Sequence, residues 1–300
     1  MSSPPIADRA VMAQGVSEFD IWVLHAWKRG GAVLPAFPLV ATRLVDALEN
    51  PNAHMESVCE IIAQDPALTA DVIRMANSIV YGGVTRVEDV RSAVMRLGLE
   101  ETANVAMTVA CRSLFAMEDR AEIDTFGGLW SSIWSSSLVG AYGARILSSE
   151  LGLGHPEQIF QAAMFRDIGC LLLLKVITKG LVSGSLRDRP SEAEIHRVFD
   201  SLHERAGAGY ARQSFLPPYV MSTIRSHHRV DEVVNAETIP GHLIVLTDAF
   251  CRRLGIMPLT DEASEARAER SAKLLGLDEV RTEYFTLQFE SIHEQLSDLM

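Results

Sequence analysis

The chain has 300 residues, with 27 Lys and Arg against 39 Asp and Glu, a net charge of −12 and 48% hydrophobic content. That is enough chain to bury a core, as one long domain or two short ones. The acidic balance argues against a protein whose main work is coating nucleic-acid phosphates, because that affinity comes from Lys and Arg, yet it leaves room for a local basic groove. Cys59, Cys111, Cys170 and Cys251 are far apart, sit in apolar surroundings and form no C-x-x-C, so they read as reduced core side chains in a cytosolic protein. The first residues lack a basic start followed by an apolar run. The greasiest window, Cys170 to Ile177, is shorter than the roughly 20 residues of a bilayer span and contains Lys175, so no membrane segment is expected.

Apolar residues recur at helical spacing nearly everywhere and alternating runs are nearly absent, which predicts an all-α chain. Phe19, Trp22, Val23, Ala26 and Trp27 stripe a first helix that Gly30-Gly31 ends. A second is expected from Pro38 to about Glu49 and a third from Met55 to Ala63. Asp65-Pro66 announces the next: Asp caps the first-turn amides and Pro suits the first helical position. Its stripe is Leu68, Val72, Met75 and Ile79, and Tyr81-Gly82-Gly83 stops it. Helices over Val87 to Leu97, closed by Gly98, and Glu100 to about Phe115 complete an N-terminal half. The charged stretch Met117 to Thr125 is the candidate boundary. Further helices are expected over Leu129 to Leu151, Pro156 to Ile177, Glu192 to Gln213, Pro218 to His228 and Pro240 to Leu254, and then a two-helix tail. The division is therefore 1–31 as an extension with one helix, 32–118 and 119–255 as two helical halves, and 256–300 as the tail. In the last helix Phe285, Phe289, Ile292, Leu296 and Leu299 step by 4, 3, 4 and 3, an apolar seam that the same subunit or a partner must cover.

No P-loop, dinucleotide-binding glycine fingerprint, H-E-x-x-H or G-x-S-x-G is present. What remains is a set of His and Asp in the second half: Asp167, His203, His227, His228 and Asp248. Asp167 lies between Phe165 and Ile168-Gly169-Cys170-Leu171, and Asp248 interrupts Leu243 to Thr247. A carboxylate there needs a cation, a metal or several hydrogen bonds, unless it simply faces water. His227-His228 alone is weak evidence, because adjacent helical positions point about 100° apart.

Several segments together resemble an HDOD domain: Leu34-Pro35-Ala36-Phe37-Pro38, Asp65-Pro66-Ala67-Leu68-Thr69, Arg74 to Ser78, Ala93 to Gly98, Leu129-Trp130, Arg166-Asp167-Ile168-Gly169, His203 to Ala208, Leu216-Pro217, His227-His228 and Leu246-Thr247-Asp248. The resemblance spans about residues 32 to 254. It implies an all-helical relative of the HD metal-dependent phosphohydrolases, from a group found mostly in bacterial signalling and generally regarded as non-enzymatic. HD hydrolases hold their metal with a first His, an adjacent His-Asp pair and a late Asp, with further His residues in two-metal forms. By that resemblance Ser136 stands at the first His, Arg166 at the His of the pair, and Asp167 and Asp248 match the carboxylates. His203, His227 and His228 match the additional His positions.

The substitution has a chemical consequence. Guanidinium offers five donors, no lone pair and a permanent charge, so Arg166 cannot ligate a metal and repels one. The expectation is that Arg166 fills the metal position and pairs with Asp167, Asp248 or both, leaving no metal and no catalysis. A protonated His203 or His228 would offset the remaining negative charge. The alternative is an outward Arg166 with one divalent ion on Asp167, Asp248, His203 and His227 or His228, as in a single-metal phosphohydrolase or phosphodiesterase. Asp65 and Asn77 read as helix caps, Trp130 and Trp134 as core anchors, and the basic loop Lys179 to Pro190 as solvated. The expected function is bacterial signal transduction by protein–protein interaction. By the resemblance alone, the partner is a kinase, a response regulator or an enzyme of cyclic-dinucleotide metabolism. A homodimer through the C-terminal helix is a further expectation. Nucleotide or RNA binding without hydrolysis is the weakest reading.

Overall fold

The computed structural model describes residues 17–30, 39–40, 43–44, 47, 54–77, 85–112, 114, 120–214, 216–229, 233–259 and 263–296. Among these the fold is all-α, with no strand. The helices are α1 (Glu18–Lys28), α2 (Met55–Ala63), α3 (Pro66–Ala76), α4 (Val90–Leu97), α5 (Leu99–Arg112), α6 (Arg120–Leu151), α7 (Pro156–Phe165), α8 (Ile168–Val182), α9 (Glu192–Gln213), α10 (Pro218–Ser226), α11 (Ile239–Arg253), α12 (Ser264–Leu274) and α13 (Glu279–Gln295). The helix expected over Pro38 to Glu49, residue Ile79, the Tyr81-Gly82-Gly83 stop and Leu299 fall wholly or largely outside the described residues.

Local chemistry accounts for the boundaries. Ser17 and Asp20 close a capping box on α1, and Ser191 and Glu194 close another on α9, each satisfying two free amides of a first turn. Asp65 accepts from the Ala67 and Leu68 amides ahead of α3, with Pro66 at the first position. That helix ends at Ala76. The Asn77 amide donates to the Ile73 carbonyl at 2.9 Å and the Val87 carbonyl at 2.8 Å and accepts from the Val87 N–H at 2.9 Å, so it caps one helix and ties down the approach to the next. Helix α4 starts at Val90 rather than Val87 because Asp89 is its cap, and it ends on Gly98 with a φ of 81°.

Two expectations fail in an instructive way. Helix α6 begins at Arg120, inside the charged stretch expected to be a break. Phe126 is buried there, and the Arg189 guanidinium lies over its ring and donates to the Thr125 carbonyl, which occupies one cation of the basic loop. The helix expected to run unbroken from Pro156 to Ile177 instead stops at Phe165 and restarts at Ile168, so the break falls on Arg166-Asp167.

One apolar cluster runs from Val23 to Leu296. Helices α6 and α7 pack along each other, as do α8 and α9, and α11 and α13 both lie against α6. The seam of α13 is covered by its own chain: Phe285, Phe289, Ile292 and Leu296 are buried, and Phe289 stacks at 4.8 Å on Phe250 of α11. Trp130 and Trp134 are core residues. Helices α8 and α9 come unusually close at Gly169 and Gly207. A Cβ on Gly169 would stand 1.9 Å from the His203 carbonyl oxygen, so only glycine permits this approach, which brings His203 beside Asp167.

Candidate metal centre and its buried arginine

The α7–α8 break turns Arg166 inward. Its side chain is 0% exposed, which removes the alternative of an outward-facing guanidinium. Nε donates to Asp248 Oδ1 at 2.6 Å and stands 3.3 Å from Asp167 Oδ2. Nη1 donates to the carbonyls of Ala163 at 2.8 Å and Ser136 at 3.2 Å. Nη2 donates to the Ser136 carbonyl at 3.2 Å and lies 3.6 Å from Met257 Sδ. Ser136 thus serves the site through its backbone, while its hydroxyl donates to the Ile133 carbonyl. Gly140, one turn further along α6, provides the space: a Cβ there would be 2.7 Å from Nη1. Burial alone would lower the Arg166 pKa, but Asp248 and Asp167 outweigh it and raise it further, so the guanidinium stays charged. Burial also pushes the neighbouring Cys251 thiol up to about 12.

The two carboxylates are not equivalent. Asp248 has the shorter contact with Arg166, yet burial and the adjacent Asp167 charge raise its pKa. Asp167 faces the same burial, but Arg166 together with His227 and His203 holds its carboxyl below the usual range. Asp167 sits at the N-terminus of α8, whose dipole also favours a negative charge.

On the other side of Asp167 stand three imidazoles. His203 Nδ1 lies 2.6 Å from the Phe199 carbonyl and His227 Nδ1 lies 3.1 Å from the Thr223 carbonyl. A carbonyl only accepts, so both Nδ1 atoms carry hydrogen and both Nε2 lone pairs point inward. Those Nε2 atoms are 3.2 Å apart, and His228 Nε2 is 3.1 Å from that of His203. His227 Nε2 is 3.3 Å from Asp167 Oδ1. Asp167, His203, His227 and His228 each offer a ligand atom within 4.8 Å of the others. The adjacent His227 and His228 do converge, because His227 ends α10 and the chain turns after it, with ring centroids 4.1 Å apart.

Facing lone pairs at this distance repel unless a cation lies between them. Neither buried Asp167 oxygen has a well-formed hydrogen bond; both are held by ionic contacts alone. Two nitrogens bound to one ion at ~2.1 Å are ~3.0–3.4 Å apart for angles of ~90–109°, which brackets the two imidazole separations of 3.2 and 3.1 Å, while His203 Nε2 stands further from Asp167 Oδ1, at 3.9 Å. The quartet therefore fits a divalent transition ion. Without one, a proton does the work. His227 is buried, which lowers its pKa, but Asp167 more than compensates and raises it. Burial and the His227 charge lower His203, and the same causes lower His228 to about 2. Asp248, a ligand only in the single-metal alternative, is not in this group, because Arg166 claims it.

Gly140, the Ala163 carbonyl and Met257 were invisible to the sequence reading. Gly140 alone had a usable signal, its i+4 spacing from Ser136.

The HDOD domain family matches residues 34–230. This chain belongs to the HDOD family. An uncharacterized protein of Treponema pallidum (strain Nichols) is 25% identical over 203 residues, covering 66% of this chain; the match spans only 38% of that relative's length. An HDOD domain protein from Geobacter sulfurreducens has a similar structure, with a TM-score of 0.70 at 20% identity over 94% of this chain and 99% of that one. A proposed metal-dependent phosphohydrolase from Shewanella amazonensis SB2B gives 0.68 at 19% identity, over 93% and 98%. These likenesses establish an HDOD fold. No helix among the described residues is long and apolar enough to cross a membrane.

Proposed function

We propose that this HDOD protein is a non-hydrolytic signal-transduction module that acts by docking another signalling protein, and that its quartet holds one structural divalent ion. The observation that carries the reading is the guanidinium of Arg166 between Asp167 and Asp248. In the HD arrangement, the first ion needs the ligands that Ser136 and Arg166 replace and the two carboxylates that Arg166 now neutralises. An ion on the quartet would supply Lewis acidity and an acidified water. Its neighbour on the Asp248 side is a fixed positive charge, in the position that the first ion of an HD hydrolase would take. The chain's own residues then act structurally: Asp167 links the guanidinium to the imidazoles, while His203 and His227 tie α9 to the end of α10. By the family resemblance, the docked protein is a kinase, a response regulator or an enzyme of cyclic-dinucleotide metabolism, met in the cytoplasm.

A second reading is favoured by the same quartet: a single-metal phosphohydrolase or phosphodiesterase working from Asp167, His203, His227 and His228. One experiment separates the two. Protein purified without chelator is assayed for metal content and for cleavage of bis-p-nitrophenyl phosphate with added Mn, Fe, Ni or Zn. About one ion per chain without cleavage is expected. Metal-dependent cleavage that disappears in Asp167→Ala would overturn the first reading.

A further inference from the structure

On a chain of net charge −12, one groove has the opposite sign. It lies between α9, the C-terminal end of α10 and the end of α1, encloses about 530 Å³, and is lined by Arg205, Arg212, Arg225 and Arg229, with Glu204 as its one acid. Glu204 is already committed: Arg229 Nη2 donates to it at 2.7 Å. Arg205, Arg212 and Arg225 are exposed and form no ion pair among the described residues. Three guanidiniums gathered without a counter-charge repel one another, and an anion relieves that repulsion. Arg205 and Arg212 stand seven residues apart on α9, which separates their backbones by ~10 Å along the axis. A chain of two or more phosphates engages both guanidiniums in extended form, without forcing the two like charges together on one phosphate. Trp27 supplies the remaining wall: its indole lies over Gly209, where an added methyl would touch Cζ2 at 3.6 Å. A flat half-buried indole beside arginines suits a stacked base, and the volume is that of a small-molecule site.

We infer that this groove binds a nucleotide bearing two or more phosphates, with its phosphates on Arg205, Arg212 and Arg225 and its base on Trp27. The site is separate from the quartet and needs no metal. An acidic peptide shares the charge but not the need for an aromatic wall.

The test is calorimetry in 50 mM salt, with protein stripped of divalent ions by EDTA and exchanged into chelator-free buffer. ATP, GTP, inorganic triphosphate, adenosine and a poly-glutamate peptide are the probes. A nucleoside triphosphate is expected to bind ~10-fold more tightly than inorganic triphosphate, with adenosine silent and affinity falling steeply as salt rises. Arg205→Ala with Arg212→Ala, both exposed and so harmless to folding, should lower nucleotide affinity at least ~10-fold. Trp27→Leu should bring it down to that of inorganic triphosphate. The inference is overturned if neither nucleotide gives binding heat, if the arginine variants bind as the parent does, if inorganic triphosphate or poly-glutamate binds as tightly as the nucleotides, or if binding requires the divalent ion.

Discussion

Replacing Arg166 by Met tests the buried ion pair directly. Met approximates the apolar stem but removes the charge and its donors to Asp248, Ala163 and Ser136. Asp248 then loses its partner at 2.6 Å while 5% exposed, and Asp167 keeps only the imidazole side of its contacts. Breaking one member of a buried pair costs ~3–5 kcal/mol, because the stranded charge is uncompensated. For a chain of this size, that corresponds to a fall in Tm of ~5–8 °C. Urea denaturation at pH 7 gives the midpoint and slope, and an unchanged slope confirms that parent and variant expose comparable surface on unfolding. Adding Asp248→Leu to Arg166→Met removes the orphaned carboxylate and should recover at least ~2 kcal/mol, a coupling that a double-mutant cycle reads without assumptions about the absolute value. A loss below ~1 kcal/mol in the single variant, or no recovery in the double, would show that the guanidinium does not neutralise these carboxylates.

Three further outcomes follow from the same geometry. His203→Ala should reduce bound metal from about one ion per chain to a trace, measured by plasma emission spectrometry, since it removes the imidazole central to the quartet; undiminished metal would place the ion elsewhere. Gly169→Ala should destabilise by ~3 kcal/mol or more, because its Cβ meets a backbone carbonyl 1.9 Å away that cannot rotate aside, and a variant melting within 2 °C of the parent by circular dichroism would contradict the close approach of α8 and α9. In metal-free protein, His228 sits near pKa 2 when folded against ~6.5 when unfolded, so its contribution is present above pH ~6.5 and is lost on acidification, at up to ~1.4 kcal/mol per pH unit. His228→Asn should therefore lessen the drop in stability between pH 6.5 and 4.5 by ~2 kcal/mol, with equal drops refuting the assignment.

The sequence was most legible where one residue's chemistry decides the local structure. Met55–Ala63 is placed to the residue by its periodicity, and Glu192–Gln213 by periodicity together with the Ser191–Glu194 capping box. The helix break at Arg166-Asp167 was not legible, since apart from Arg166, Asp167 and Lys175 the stretch from Ala162 to Ile177 is apolar and periodicity has nothing to mark it. What interrupts the helix is tertiary: Gly169 must slide under the His203 carbonyl, and Arg166 must reach across to α11. For the site, the residue types could be named from the sequence but not sorted. Asp248 and Asp167 look alike in a linear reading, and only the reach of Arg166 decides that the first is sealed in an ion pair while the second is shared. His227 and His228 could not be placed on one centre from spacing, because their convergence depends on a turn beginning where α10 ends.

That sorting divides one cavity into two electrostatic regimes with Asp167 as their common wall. On the Asp248 side the cation is covalent and cannot dissociate or deprotonate, so this half stays closed at any ordinary pH. On the imidazole side the cation is exchangeable, a proton or a metal ion, and the two compete for the same lone pairs. To bind a metal ion the quartet must lose the proton that Asp167 Oδ1 holds on His227, and the carboxylate left by that proton remains polarised through its other oxygen, Oδ2, by Arg166 Nε at 3.3 Å. The arginine therefore weakens Asp167 as a donor to the ion. If Arg166→Met still folds, its quartet should bind Zn more tightly than the parent's, even though the variant is the less stable protein. A variant with lower stability and unchanged or weaker metal affinity would mean that the two halves of the cavity do not communicate through Asp167.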